Sequence, residues 1–123
     1  MIFETTVEGG FSAAHSIIDY PGNCEKMHGH NWKVLLSVRT GATDSLGLTV
    51  DFRVLKKLLK DALSELDHSV LNELPYFTGR NPTTENIALY IHEKLKENQA
   101  FSGLALGGIR VYESETSYVN LIP

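Results

Sequence analysis

The residues best suited to chemistry lie in one short stretch, which reads CEKMHGH over residues 24–30. From His28 onwards apolar and polar residues alternate, so His28 and His30 project from the same face of a predicted β-strand. Two imidazoles on one face can bind one metal ion, each at about 2.0–2.1 Å. The alternative is a pair of interior histidines that hydrogen bond to the backbone, and this pair alone leaves the choice open.

His15 is a third imidazole in a suitable phase. It shares a strand face with Phe11 and Ala13 in an earlier alternating segment, and neighbouring strands bring side chains to within about 5 Å of each other. Three imidazoles without a thiolate or a carboxylate are a ligand set of catalytic zinc sites, in which the fourth position stays open. We therefore predict that His15, His28 and His30 hold Zn²⁺.

Cys24 is the only cysteine, so it cannot form a disulfide within the chain. Taken alone, it is best interpreted as a small buried apolar residue. Four residues before His28, however, its sulfur can approach the open position of a metal, and a nearby cation lowers a thiol pKa from about 8.5 toward neutrality. A fourth metal ligand, a nucleophile and a general base all remain open for Cys24. Glu25 is a candidate second base, and an exposed loop carboxylate is its alternative.

Two further polar features could take part in catalysis or binding. Asp67 and His68 follow a predicted helix, and a carboxylate beside a histidine can fix its tautomer and raise its basicity. A histidine that interacts with the helix C-terminus is the alternative. Glu113 shares a strand face with Ile109 and Val111, so its carboxylate needs an arginine or a ligand with parallel N–H donors, unless the strand frays and Glu113 meets water.

Strand patterns account for both ends of the chain. Alternation on either side of Gly9 and Gly10 predicts two strand segments interrupted by a turn or bulge. The CEKMHGH stretch leads into a half-buried strand. After the glycine pair at 107–108 another strand begins, and residues 117–122 are predicted to pair back on it as a hairpin.

Helical spacing occupies the middle of the chain. Asp51 is a suitable N-cap for an apolar run from Val54 to Leu66, which predicts a helix of about four turns. A second helix starts in one of two ways: Asn81 caps it with Pro82 in the first turn, or Thr83 caps it.

The element order strand, strand, helix, helix, strand, strand predicts a single α+β domain over residues 1–123. Both helices should lie on one face of a four-stranded antiparallel sheet. The two free edges of so small a sheet favour oligomers that extend it.

The composition excludes several classes of partner. The formal net charge is −4 at pH 7, and neither a basic run nor a basic amphipathic helix occurs, so we expect no nucleic-acid or membrane partner. No stretch approaches the roughly 20 apolar residues that a bilayer span requires, and residues 1–7 do not form the apolar block of a signal peptide. We predict a cytoplasmic protein that binds a small molecule.

In combination, these motifs resemble the 6-pyruvoyl-tetrahydropterin synthase and 6-carboxy-tetrahydropterin synthase family over essentially the whole chain. The motifs are an Ala-Ala-His that ends at His15, Cys-x-x-x-His-Gly-His from Cys24, the pair Asp67 and His68, PTTEN at 82–86, and Glu113 on a late strand. The resemblance implies a tunnelling fold, and a homohexamer of two stacked trimers with active sites at subunit boundaries.

The resemblance also implies roles for these residues. Zn²⁺ would bind His15, His28 and His30, and Cys24 would be the catalytic thiol. Asp67 and His68 would form a proton relay that reaches in from a neighbouring subunit. Glu113 would anchor the pterin, with supporting contacts from Thr83 and Thr84.

The implied reaction is a lyase reaction on 7,8-dihydroneopterin triphosphate that releases triphosphate. We favour 6-carboxy-5,6,7,8-tetrahydropterin, a precursor in queuosine and deazaguanine synthesis, as the product. The alternatives are 6-pyruvoyl-tetrahydropterin and the folate precursor 6-hydroxymethyl-dihydropterin. Glu25 beside Cys24 resembles the Cys-Glu pair of the folate-directed subgroup. An alternative of another class is a non-catalytic pterin-binding zinc scaffold.

Overall fold

The computed structural model describes residues 1–18 and 26–123. Within these residues, five strands and two α-helices follow each other: β1 (Phe3–His15), β2 (His28–Thr40), α1 (Phe52–Leu63), β3 (Ser69–Val70), α2 (Thr84–Glu97), β4 (Ala105–Ser114) and β5 (Ser117–Leu121). Short 3-10 helices occupy Leu71–Glu73, Pro75–Phe77 and Gln99–Phe101. The predicted order of four long strands and two helices is confirmed.

The strands form one sheet in the order β3-β1-β2-β4-β5. The pairs among β1, β2, β4 and β5 are antiparallel, as predicted, whereas β3 runs parallel to β1 beside Ala13 and Ala14. The sequence predicted four strands, and β3 is the additional one. A strand of two residues is too short to show alternation of apolar and polar residues, so no local pattern predicts it.

β1 runs without interruption through Gly9 and Gly10, which pair with Val34 and Lys33 of β2. The predicted turn or bulge at this glycine pair is therefore wrong. A Cβ on Gly9 would lie 2.9 Å from Cδ2 of Leu59 in α1, and a Cβ on Gly10 would lie 2.8 Å from a backbone carbonyl oxygen of β2. These glycines allow close packing, and neither one makes the chain turn.

Each helix begins at a capping side chain. Asp51 caps α1 as predicted, because its carboxylate accepts a hydrogen bond of 2.8 Å from the backbone N–H of Arg53. Thr83 caps α2 by accepting a bond of 3.1 Å from the N–H of Asn86, which decides between the two predicted starts. α1 ends earlier than the apolar run predicts, although Leu66 is still fully buried in the turns that follow.

Both helices pack on the same face of the sheet. The buried side chains of that face are mainly Val7, Phe11, Trp32, Val34, Leu36, Ile109 and Val111, and they meet the apolar stripes of α1 and α2. His15, His28 and His30 belong to the same face, at the end of the sheet where β1 finishes and β2 begins. Among the described residues no helix is long and apolar enough to cross a membrane.

Candidate active site

Strand register brings the three histidines together. His15 is the last residue of β1 and pairs directly with His28, the first residue of β2, while His30 pairs with Ala13. One ligand atom from each imidazole lies within 4.8 Å of those of the other two. The ring centroids are 4.8 Å apart for His15 and His28, 5.2 Å for His15 and His30, and 4.7 Å for His28 and His30. A group of this size could hold one metal ion.

Two backbone carbonyls select the tautomers of this group. His15 Nδ1 is 2.8 Å from the carbonyl oxygen of Pro82, and His28 Nδ1 is 2.8 Å from that of Lys26. Because a carbonyl oxygen can only accept, each Nδ1 carries the proton, and each neutral ring presents a lone pair at Nε2. Histidines that bind a metal through one ring nitrogen usually donate the N–H of the other nitrogen to an acceptor such as a backbone carbonyl, as Nδ1 does here.

The Nε2 atom of His15 fits a metal best. The side chain is fully buried, and among the described residues this nitrogen has no hydrogen-bond partner. A buried acceptor without a partner costs about 1–3 kcal/mol, and a metal ion would satisfy it. The donor set of three neutral imidazoles also suits zinc, so the residues present fit the predicted ion.

Trp32 closes one side of the group. Its ring packs edge-on against His15 and His30, with centroids 5.0 and 5.1 Å away, and its Nε1–H donates to the carbonyl of Ala13 at 3.3 Å. This large buried ring keeps water from that side of the imidazoles. It also restricts the directions in which their rings can turn.

Glu113 lies beside His30. It occupies an irregularity of β4, because Tyr112 pairs with Tyr118 and Ser114 already pairs with Ser117, so one extra residue is inserted there. Such bulges redirect a side chain locally. Oε1 of Glu113 is 3.8 Å from Nε2 of His30.

Among the described residues, the carboxylate of Glu113 is bound by a hydroxyl group and by no arginine. Thr84, which is buried, donates from Oγ1 to Oε2 of Glu113 at 3.1 Å. The Glu113 side chain is 40% exposed, so the burial that we expected from its strand face is only partial. The oxygen of Thr83 is committed to capping α2.

The side chains of Asp67 and His68 are within hydrogen-bond distance, with Nδ1 of His68 3.0 Å from Oδ2 of Asp67. The backbone N–H of Ser12 donates to Oδ1 of Asp67 at 2.9 Å. This N–H, followed by the contact with His68, lowers the pKa of Asp67 below its ordinary value. His68 adopts a left-handed backbone with φ of 57°, and its N–H donates to the Ser12 carbonyl at 2.6 Å.

This pair lies apart from the three histidines within one chain. Ser12 is about 10 Å along β1 from His15, and its side chain points to the opposite face of the sheet. The His68 side chain is 85% exposed at the outer edge of β1. The structure thus brings His15, His28, His30, Glu113 and Thr84 to one end of the sheet but leaves His68 facing outward.

The predicted thiol Cys24 and the candidate base Glu25 lie outside the described residues, and their roles stay predictions. Sequence reasoning missed the carbonyls of Pro82 and Lys26 and the amide of Ser12, which orient His15, His28 and Asp67. Every residue has a backbone carbonyl and amide, so no residue type could have signalled these contacts. Only the start signals around Asn81 and Pro82 pointed to that segment.

Comparison with known proteins gives a consistent family. The model of the 6-pyruvoyl tetrahydropterin synthase family matches residues 4–122. A putative 6-carboxy-5,6,7,8-tetrahydropterin synthase of Archaeoglobus fulgidus is 37% identical over 117 residues, which cover 94% of this chain and 91% of that protein. The dihydroneopterin monophosphate aldolase of Pyrococcus furiosus is 39% identical over 89 residues, 72% of this chain and 70% of that protein.

A solved structure supports the same relationship. The 6-pyruvoyl tetrahydropterin synthase of Caenorhabditis elegans matches with a TM-score of 0.83 and 25% sequence identity, over 100% of this chain and 96% of that one. The long strands, both helices and their order are therefore shared along the full length.

Proposed function

Since the chain belongs to the 6-pyruvoyl tetrahydropterin synthase family, we propose that it converts 7,8-dihydroneopterin triphosphate to 6-carboxy-5,6,7,8-tetrahydropterin and releases triphosphate. It is a lyase of the tetrahydropterin synthase type, with a pterin as its small-molecule substrate and the tunnelling fold as its architecture. The relative from Archaeoglobus fulgidus, which is 37% identical over 94% of this chain, is named a putative 6-carboxy-5,6,7,8-tetrahydropterin synthase.

The observation that carries this proposal is the convergence of three imidazoles, two with Nε2 lone pairs set by backbone carbonyls, beside the carboxylate of Glu113. His15, His28 and His30 would hold Zn²⁺. When bound, the ion would act as a Lewis acid that lowers the pKa of side-chain hydroxyls of the substrate. Metal identity is part of the proposal, because the imidazole set also suits other transition metals.

Glu113 would orient the pterin. The aminopyrimidinone edge of a pterin presents parallel N–H donors, which a carboxylate accepts in the fork geometry that it uses for guanidinium. Thr84 holds Oε2 of Glu113 at 3.1 Å and so limits rotation of that carboxylate. Thr83 lies at the start of α2, beside Thr84. Its hydroxyl oxygen already accepts the N–H of Asn86, so Thr83 would support the pterin ring mainly through its location next to the ring.

Proton transfer would use two groups. Cys24, as a thiolate, would take a proton from the C6 side chain of the substrate. His68 donates Nδ1–H to Asp67, which leaves Nε2 as the lone pair able to accept a proton. Because His68 faces outward in one chain, it would serve the site of a neighbouring subunit in the proposed homohexamer. The cytoplasmic location stays a prediction from the sequence.

Carbon counting defines the products. The substrate side chain has three carbons and the carboxy product keeps one, so the other two leave as acetaldehyde, and one water is consumed. Simple loss of triphosphate with internal rearrangement would instead give the 6-pyruvoyl product, with all three carbons retained. The two outcomes therefore differ in pterin mass and in aldehyde release.

A second candidate is cleavage to 6-hydroxymethyl-dihydropterin. It is favoured by the relative from Pyrococcus furiosus, which is named a dihydroneopterin monophosphate aldolase. The adjacent Cys24 and Glu25 are consistent with this activity, since either could act as the base. This candidate predicts that a monophosphate substrate is turned over and that the two-carbon fragment is released as glycolaldehyde phosphate, because cleavage of the carbon–carbon bond leaves the phosphate ester intact.

One experiment separates these products. The zinc-loaded protein is incubated with 7,8-dihydroneopterin triphosphate and, in parallel, with the monophosphate, and the pterins and aldehydes are identified by mass spectrometry. The proposal expects 6-carboxy-tetrahydropterin and acetaldehyde from the triphosphate. Tight pterin binding without any turnover, or either of the other two pterins as the main product, would contradict it.

Two variants test the assigned roles. Cys24→Ala is expected to lower turnover by about 10²-fold or more while zinc is retained, because it removes a proton-transfer group. His28→Ala should lose zinc, since two imidazoles remain. Normal turnover by Cys24→Ala would refute the role of the thiol.

A further inference from the structure

The outer edge of β1, on the side away from β2, is closed by one run of chain between residues 67 and 81. Asp67 and His68 bond to the backbone N–H and carbonyl of Ser12, and β3 pairs with Ala13 and Ala14. Regular strand pairing then stops. The chain that follows His15 nevertheless continues to present backbone groups along the same edge, at every second residue.

Two asparagine side chains form hydrogen bonds with the backbone groups of this edge. The N–H of Ser16 donates to Oδ1 of Asn72 at 2.9 Å, and Nδ2 of Asn72 donates to the Ser16 carbonyl at 2.8 Å. Asn81 repeats the arrangement with Ile18, at 2.8 Å for its Oδ1 and 2.9 Å for its Nδ2. A primary amide offers one donor and one acceptor side by side, so each asparagine replaces the backbone of a missing strand.

Asn81 is also next in the chain to Pro82, whose carbonyl orients the predicted metal ligand His15. The Pro82 carbonyl accepts the Nδ1–H of the fully buried His15. The carbonyl of Asn81 itself accepts a bond of 2.8 Å from Nδ2 of Asn86 in the first turn of α2. The backbone just after His15 and the carbonyl that orients its ring are therefore held to each other.

We propose that Asn72 and Asn81 are positioning residues that fix the tautomer and direction of the His15 ring. Asn81 does so by holding the segment after His15 against the segment that carries the Pro82 carbonyl. Asn72 does so by holding Ser16, the residue next to His15. If the strand end could move relative to Pro82, the Nδ1–H bond would lengthen and Nε2 would no longer be reserved for a ligand. The inference rests on the metal site of the proposed function and is independent of the pterin product.

The alternative is that both asparagines only close a sheet edge, which would affect stability alone. Asn98 provides a matched control, because it is also half-buried and its Oδ1 accepts a bond of 3.0 Å from the N–H of Ala100. It caps a short 3-10 helix after α2, and among the described residues its side chain makes no hydrogen bond to His15 or Pro82. Replacement by leucine keeps the number and branching of the side-chain heavy atoms and removes the polar atoms in all three cases.

The experiment compares Asn72→Leu, Asn81→Leu and Asn98→Leu with the natural chain. Zn²⁺ affinity is measured by competition with a chelator, and the ring nitrogens of His15 are observed by ¹⁵N NMR in the metal-free protein. Loss of a group that hydrogen bonds to a metal ligand typically weakens metal binding by about 10–100-fold. Since Asn81 acts on His15 only indirectly, through Pro82, we expect Asn81→Leu to weaken Zn²⁺ binding about tenfold. Its His15 signals should shift from a single Nδ1–H tautomer toward a mixture, with a smaller shift for Asn72→Leu.

Graded variants of Asn81 sharpen the test. Asn81→Gln keeps a donor and an acceptor on a longer arm and should restore part of the affinity. Asn81→Asp keeps the acceptor for the Ile18 N–H but turns a second acceptor toward the Ile18 carbonyl, so it should remain impaired. If Asn81→Leu does not fold, the contrast between these two variants gives the same information.

Wild-type Zn²⁺ affinity and an unchanged His15 tautomer in Asn81→Leu, with only the loss of thermal stability seen for Asn98→Leu, would overturn the proposal. A natural chain that binds no Zn²⁺ would refute the metal site of the proposed function instead. In that case the nitrogen signals of the metal-free protein still decide whether Asn72 and Asn81 set the His15 tautomer.

Discussion

At the scale of single residues, the site depends on which atoms remain available after the chain has satisfied its own hydrogen bonds. The Nδ1–H groups of His15 and His28 are used by backbone carbonyls, and Oδ1 of Asp67 by a backbone amide. The Nε2 atom of the buried His15 has no hydrogen-bond partner among the described residues, and the Glu113 carboxylate is 40% exposed. The reactive atoms are thus selected by backbone contacts more than by other side chains.

The bond between Thr84 and Glu113 should affect substrate binding more than turnover. Thr84→Val keeps the shape of the side chain and removes the hydroxyl that holds Oε2. Loss of one hydrogen bond to a charged group is expected to raise KM about tenfold. Steady-state kinetics on the pterin substrate would measure this, with kcat changed much less.

Thr49→Val is the matched control for Thr84→Val. It removes a comparable bond of 2.6 Å to the hydroxyl of Thr5, outside the proposed site. Its KM should equal that of the natural chain. A tenfold loss confined to kcat in Thr84→Val would mean that Glu113 acts in the chemical step and does not anchor the pterin.

Asp67 should make stability depend on pH in the acidic range. The Ser12 amide and His68 hold the pKa of Asp67 below its ordinary value of 3.8. The carboxylate therefore stabilises the fold above that value, and this contribution disappears as the pH falls through the lowered pKa. Thermal unfolding of metal-free Asp67→Asn and natural chains should show a Tm difference at about pH 5 that shrinks below about pH 3.8. A constant difference over this range would contradict the ionic role.

At the scale of elements, β1 and β2 are long strands whose register determines which residues meet. Their unbroken pairing from Phe3 and Thr40 to His15 and His28 places the first histidine opposite the second. One residue of slippage would move His15 to the other face. Gly9 and Gly10 support this register by allowing α1 and β2 to approach β1 closely.

Alanine substitutions should reveal which glycines are required for this packing. A Cβ on Gly10 would meet a backbone carbonyl at 2.8 Å, so Gly10→Ala is expected to destabilise the fold by about 1–3 kcal/mol. Gly9→Ala should cost less, because the nearest atom, 2.9 Å away, is the end of the flexible Leu59 side chain. Denaturant unfolding would measure both.

Gly29 is the control for these substitutions. A Cβ there would lie 3.8 Å from the nearest carbonyl, an ordinary contact. Gly29→Ala should therefore leave the stability of the fold unchanged or raise it by about 0.4–1 kcal/mol, because alanine lowers the conformational entropy of the unfolded chain. Equal destabilisation at Gly10 and Gly29 would show that close packing is not the reason for Gly10.

At the scale of the whole molecule, one chain holds an incomplete set of the proposed catalytic groups. The three histidines and Glu113 lie at one end of the sheet, whereas His68 projects outward from the β1 edge and is 85% exposed. Residues 67–81 close the β1 edge, whereas β5 is the last strand at the other end of the sheet among the described residues. An edge strand with unpaired backbone groups favours assembly with other copies. A homohexamer would supply His68 to a neighbouring site.

Mixed oligomers test this arrangement directly. Cys24→Ala and His68→Ala should each be inactive, but chains that are unfolded together and refolded in equal amounts should regain about a quarter of the natural activity, because random assembly creates some intact sites. Cys24→Ala mixed with His28→Ala is the control and should regain none, since both defects affect the same half of the site. Equal recovery in the two mixtures, or none in the first, would refute a shared site.

Local patterns of the sequence were sufficient for much of this protein. The alternation around His28 and His30, the cap Asp51 and the apolar stripes of both helices all depend on residues a few positions apart. Such signals survive in the sequence because strand and helix periodicities are local. They predicted the α+β class, the order of the long elements and the shared strand face of His15, His28 and His30.

Only the tertiary structure decided the contacts between distant segments. These include the pairing of His15 with His28, the tautomers selected by Pro82 and Lys26, the bulge at Glu113 and the continuity of β1. Each depends on backbone groups, which are the same for nearly every residue type, or on a close approach that a glycine permits without specifying. The residues with chemistry can therefore be found from the sequence, but their orientation follows from how the backbone packs.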